Sequence, residues 1–215
     1  MSRENLIPLD AIEEVIKYSI NGEKESAHYY LDGEKIAYRA WHENQVCMEY
    51  SIKNGKMHGL FRTWHENGNL CELGFYIDGK EHGIIKQYDY DGNLIGSYEM
   101  LHGTGTDLWY SAKNVISEER HLKDGKRHGY ERWWNGDNKT VGREQHFKDG
   151  IEHGIYREWN QKNVLRRGFP QYFLNGQKVN KKQYLNACTQ DNYLPKFREV
   201  DNHNYRELPS NHLKT

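Results

Sequence analysis

The 215-residue sequence is short of cysteine, proline and net charge. Its three cysteines, Cys47, Cys71 and Cys188, form no disulfide framework. Cys47 and Cys71 hold the same place in adjacent repeats, so they fall two strands apart, roughly 9–10 Å. A bridge needs Cα atoms within about 7 Å, so reduced thiols are expected. Thirty basic against 31 acidic residues leave a formal charge of −1, which removes any global pull toward nucleic acid or acidic membranes. No apolar run reaches the length of a membrane helix. The opening MSRENLIPLDAIEE carries acids and no apolar core, so no secretory signal is expected and the cytoplasm is the expected compartment. CxxC pairs, Cys-His-Asn or Ser-His-Asp constellations, GxGxxG and P-loop patterns are all missing. The reading is therefore non-enzymatic, with no cofactor. Hydrophobic residues make up only 36% of the chain, which suits a thin sheet of amphipathic aromatics better than a thick core.

What the chain does have is a repeat. A large aromatic recurs at Tyr18, Trp41, Trp64, Tyr88, Tyr110, Trp134 and Trp159, at spacings of 23, 23, 24, 22, 24 and 25. A second series marks turns: Asp32-Gly33, Asn54-Gly55, Asp78-Gly79, Asp124-Gly125, Asp149-Gly150 and Asn175-Gly176, with His102-Gly103 standing in at the gap. A third, Asn21-Gly22, Asn67-Gly68 and Asp91-Gly92, is offset by half a period. Asn-Gly and Asp-Gly tolerate the positive φ that tight hairpin turns require. Each period thus contains two turns and two strands. The strands alternate as expected: Leu60, Arg62 and Trp64 share one face, as do Ile84, Lys86 and Tyr88; Tyr130, Arg132 and Trp134; and Ile155, Arg157 and Trp159. The fold expected is an all-β, single-layer, twisted antiparallel meander of about seven hairpins.

The segments NGKMHGLFRTWHENGNL (54–70), DGKEHGIIKQYDYDGNL (78–94) and DGKRHGYERWW (124–134) resemble the bacterial variant of the MORN repeat. The resemblance covers roughly residues 12–178. HGTGTDLWY departs from the pattern, lacking the DGK and the histidine, and the first two repeats lack the His-Gly pair. The resemblance implies a single-layer, twisted antiparallel sheet built from hairpins; it does not imply an enzyme. Some members are antitoxins of the YwqK type, so an antitoxin or immunity-type protein that blocks a toxin is the narrower expectation.

In chain order, residues 1–11 read as an arm and 12–178 as the repeat sheet. The first hairpin turns at Asn21-Gly22 and carries Glu13, Glu14, Glu23 and Glu25 to blunt an exposed edge. A helix over 9–18 is the alternative there. Residues 102–123, with the extra Gly103 and Gly105, suggest a bend or bulge. Near 165–172 the repeat decays, and Pro170 suits a strand end. A capping helix is expected within 179–190, with Asn180 and Gln183 forming a capping box and Tyr184, Leu185 and Cys188 on its apolar side. Residues 191–215 form a polar tail, either flexible or ordered by docking on the sheet or on a partner.

His58, His82, His128 and His153 recur in four repeats, but equivalent positions lie two strands apart, and zinc–nitrogen bonds are about 2.0–2.1 Å. A structural turn role is expected in place of metal. The column beside the aromatics is the candidate binding site: Arg39 with Trp41, Arg62 with Trp64, Lys86 with Tyr88, Arg132 with Trp134 and Arg157 with Trp159, interrupted at Leu108. Interleaved cations and aromatics can bind another protein by cation–π and stacking contacts. They can equally pack as a spine, neutralised by acids such as Glu72 or Glu144. Another protein is the expected partner, a toxin in the narrower expectation, and a membrane-lipid-associated or general assembly scaffold, with anionic lipid as partner, is the alternative. Nucleic acid ranks below both, and two open sheet edges leave room for homo-oligomers.

Overall fold

In the computed structural model the described residues are 6–209. The chain divides into two units, Met1–His102 and Gly103–Thr215. In the first unit the strands are β1 (Ile12–Tyr18), β2 (Lys24–Leu31), β3 (Glu34–His42), β4 (Gln45–Lys53), β5 (Lys56–Trp64), β6 (Leu70–Ile77), β7 (Lys80–Glu81), β8 (Gly83–Tyr88) and β9 (Leu94–Leu101). Each is antiparallel to its successor, and β7 and β8 are one strand broken at His82, both pairing with β6. The N-terminal segment is thus a strand, and the helical alternative is not adopted. Ile7 of the arm is buried against Ala27, Tyr29 and Ala37.

In the second unit the strands are β10 (Thr104–Ala112), β11 (Val115–Lys123), β12 (Lys126–Trp134), β13 (Val141–Lys148), β14 (Ile151–Glu152), β15 (Gly154–Glu158), β16 (Gln171–Leu174) and β17 (Gln177–Val179). Again each pairs antiparallel with the next, and β14 and β15 are one strand broken at His153. The open, mostly antiparallel β meander expected from the hairpin signals is the observed fold. Helix α1 (Lys181–Ala187) follows, with the capping box formed: the Asn180 side chain accepts the Gln183 N–H, and the Gln183 side chain accepts the Asn180 N–H. Tyr184 is fully buried as expected, but Leu185 is exposed; only the Tyr184 side of the helix meets the sheet.

The Asx-Gly turns of the series from Asp32-Gly33 to Asn175-Gly176 have two successive residues at positive φ, whereas at Asn21-Gly22, Asn67-Gly68 and Asp91-Gly92 only the glycine does. Asp78 and Gly79 stand at 50° and 81°, and the stand-in pair His102 and Gly103 at 49° and 72°. The repeating histidines lock these turns together. The turn N–H of Asp78 donates to His58 Nδ1 at 3.4 Å, that of His102 to His82 at 3.3 Å, that of Asp149 to His128 at 3.4 Å and that of Asn175 to His153 at 3.0 Å. Each ring satisfies a backbone donor one period away. The irregular repeat substitutes a hydroxyl: Thr104 Oγ1 accepts the Asp124 N–H at 3.1 Å.

A second regularity was not legible as such. The ladder shifts register at the repeating aromatic itself, at Ala40/Trp41, Thr63/Trp64, Gln87/Tyr88, Trp109/Tyr110 and Trp133/Trp134. The bulge expected only near 102–123 is therefore a property of every one of these repeats. Opposite Phe61 the strand needs glycine, since a Cβ on Gly74 would lie 2.3 Å from the Phe61 ring.

Candidate partner-binding face

Residues directly opposite in an antiparallel ladder project from the same face. In the first unit this rule places Arg39, Glu49, Arg62, Leu73, Lys86 and Ser97 in one row across six strands. In the second unit the matching row is Leu108, Glu119, Arg132, Glu144 and Arg157. The expected cations do share one row in each unit; in the second unit they alternate with Glu119 and Glu144, whereas in the first only Glu49 stands between two cations. Glu49 takes two bonds from Arg39, at 3.1 and 2.8 Å, and an ion pair from Arg62 at 2.6 Å. Glu144, one of the two acids expected to neutralise the column, holds Arg132 at 2.8 Å and Arg157 at 3.3 Å. The other, Glu72, sits opposite Thr63 and Gln87 and accepts the Gln87 amide.

The two units treat this face differently. In the second unit the chain folds back over it. Residues 181–206 lay down Tyr184 and Leu194 against Ile155 and Tyr172, while Arg206 adds two further hydrogen bonds to Glu144. Trp159 donates its indole N–H to the Asn202 carbonyl at 2.7 Å, and the Arg206 guanidinium lies 5.3 Å from the Trp159 ring. Arg157 is 2% exposed and Trp159 is buried beneath these contacts, and Trp134 is buried as well; Arg132, at 14%, is hardly more covered than Arg62 of the first unit at 16%. The tail docks on the sheet as far as Arg206; residues 210–215 lie outside the described residues.

Burial alone would raise the Glu144 carboxyl. The Arg206 fork and the charges of Arg132 and Arg157 outweigh that and hold its pKa down at about 2. On Arg132, burial opposes the charge, and Glu144 and Glu119 more than restore it.

In the first unit the same face is exposed. Leu60 sits opposite Phe75, and Ile84 lies two residues before Lys86; their exposures are 40%, 39% and 52%. The corresponding residue of the second unit, Ile155, is 1% exposed. Arg39, Trp41, Arg62, Trp64, Lys86 and Tyr88 are all half-buried, with part of each side chain in solvent. The Arg62 guanidinium lies 5.8 Å from the Trp64 ring. Large apolar side chains standing in solvent beside arginine and tryptophan have the composition of an interaction surface.

Sequence reasoning missed Glu49, Glu119, Asn202 and Arg206. Glu49 stands opposite two arginines and Glu119 opposite Leu108 and Arg132, pairings that depend on register and not on the repeat alone. Asn202 and Arg206 carried no signal, because a tail without periodicity does not announce its docking place. A scan against protein-family models finds no match, and no curated protein matches the chain. Among the described residues no helix is long and apolar enough to cross a membrane.

Proposed function

We propose that the chain is a non-enzymatic protein-interaction module, and that the face carrying Arg39, Trp41, Leu60, Arg62, Trp64, Phe75, Ile84, Lys86 and Tyr88 is its docking surface. One observation carries this reading. The same face in the second unit is sealed by 26 residues of the chain's own tail (181–206), whereas in the first unit Leu60, Phe75 and Ile84 stand in solvent. About half of each of these side chains is still exposed, so covering them is worth roughly 0.7–1.5 kcal/mol each, which a partner would gain on docking. The resemblance to MORN-variant antitoxins narrows the partner to a toxin that the module blocks.

Anionic lipid is the weaker reading, because Glu49 partly cancels Arg39 and Arg62 and leaves the face only modestly basic. The deciding measurement is affinity capture from the native host with wild type and a Leu60→Glu/Ile84→Glu variant, whose folding is checked by circular dichroism. One protein retained by wild type and lost from the variant is expected. If wild type captures nothing specific, or the variant keeps every partner, the reading fails. Flotation with anionic vesicles would then decide for lipid.

A further inference from the structure

Between Trp41 and Trp64, at the turn end of the first unit, lies a cavity of about 420 Å³, lined also by His42, Glu43, Val46, Cys47, His65 and Glu66. We infer that this cavity binds an extended peptide segment of a partner protein and holds an arginine side chain of that segment between the two tryptophans and the two carboxylates. The inference rests on the reading of the chain as an interaction module and specifies the partner's chemistry.

The argument comes from the second unit. The repeat places Trp41 and Trp64 in correspondence with Trp134 and Trp159, and Val46 with Val141. At that corresponding place the chain's own residues 202–206 are seated as an extended segment. Asn202 offers its carbonyl to the Trp159 indole, the Val141 N–H donates to the Asn204 carbonyl at 2.9 Å, and Arg206 N–H donates to the Lys139 carbonyl at 2.9 Å. Tyr205 makes an antiparallel bridge with Thr140, and the Asn204 side chain is buried against Asn163. The guanidinium of Arg206 then lies over Trp159 and forks onto Glu144. This edge of the fold therefore has a built way of taking an extended, arginine-bearing strand.

In the first unit three requirements of that mode recur. The indole N–H of Trp64 has no hydrogen-bond partner among the described residues, whereas that of Trp159 is used by the tail. Glu43 and Glu66 bring negative charge to the cavity, and neither makes an ion pair among the described residues. An aromatic wall with carboxylates beside it favours a cation, and guanidinium most of all, because its plane stacks on an indole while its N–H groups reach a carboxylate. The difference between the units lies in the acid. In the second the carboxylate is the buried Glu144, whereas in the first it is the pair at the cavity rim, since Glu49 is already enclosed by Arg39 and Arg62.

The test uses the full chain and a labelled peptide of residues 199–209, EVDNHNYRELP, as probe. Binding is followed by anisotropy and by the tryptophan indole N–H resonances. Saturable binding that moves the Trp64 resonance is expected, with roughly tenfold weaker binding for the Glu43→Gln/Glu66→Gln variant and for a peptide in which Arg206 is alanine. Absence of saturable binding overturns the inference, and so does binding indifferent to both changes. Movement of the Trp159 resonance alone also overturns it, because the peptide has then displaced the tail instead. Capture from the host separates the two claims. A native partner kept by Glu43→Gln/Glu66→Gln but lost from Leu60→Glu/Ile84→Glu sinks the cavity and spares the module. Peptide binding at Trp64 with no captured protein spares the cavity and sinks the module.

Discussion

The Arg206 guanidinium grips the Glu144 carboxylate through two hydrogen bonds, Nε to Oε2 at 2.6 Å and Nη2 to Oε1 at 2.9 Å, across 62 residues of sequence. Glu144 also holds Arg132 and Arg157, so a single buried carboxylate ties β12, β13, β15 and the tail together. Removing either partner of a buried ion pair strands the other in low dielectric. Removing the acid leaves Arg157 and Arg206 without a carboxylate, while Arg132 keeps Glu119.

Glu144→Gln is therefore expected to destabilise the second unit by about 3–5 kcal/mol. Arg206→Ala, which leaves Glu144 two other arginines, is expected to cost roughly 1.5–3 kcal/mol. Urea unfolding followed by tryptophan fluorescence checks both values. An Arg206→Ala loss equal to the Glu144→Gln loss would show that the tail carries the network alone.

Acid should weaken the protein in two stages. Burial pushes His146 below its ordinary 6.5, against a raising hydrogen bond to the His153 carbonyl, so the folded state prefers the neutral ring. Its contribution is complete above pH 6.5 and falls as the pH drops toward the folded value. Glu144 falls from 4.5 to about 2, so its contribution is present above pH 4.5 and is lost between there and about pH 2. That shift corresponds to roughly 3 kcal/mol. Melting temperatures from about pH 8 to pH 3 should decline first below 6.5 and again below 4.5. The second decline should flatten in Glu144→Gln and the first in His146→Asn; a profile unchanged by either substitution would count against both assignments.

The repeating histidines should show themselves in local opening. His128→Ala removes the acceptor of the Asp149 N–H while the Gly150 N–H keeps its bond to the Arg127 carbonyl. About 1 kcal/mol of local protection should be lost. Hydrogen exchange should then show the Asp149 amide exchanging about fivefold faster, with the Asp78 amide, held by His58, unchanged. Equal exchange in variant and wild type would mean that the ring only fills space.

Much of the architecture follows from the sequence alone, for a local reason. Asp78-Gly79 and its equivalents can take positive φ where other pairs are strained, so turns fall where those pairs fall, and period-two alternation between turns leaves only a strand. The capping box at Asn180 and Gln183 is equally local. Side chains two apart, such as Arg62 and Trp64, must share a face, so the candidate column was legible too. What β-periodicity cannot express is which residue stands opposite. Glu49 lies between Arg39 and Arg62 because of register and bulge position, and the bulge at Trp41 and Trp64 has no signature of its own. Which copy of the row is covered lies further still beyond local pattern. Arg206 reaches Glu144, and Tyr184 reaches Tyr172, through packing between segments distant along the chain. Hairpins, their period and their cation–aromatic face are local properties and follow from the residue pattern; that one copy of the face lies under the tail while Leu60, Phe75 and Ile84 of the other stay partly in water follows only from packing, because burial is a property of what the chain brings together and not of any stretch within it.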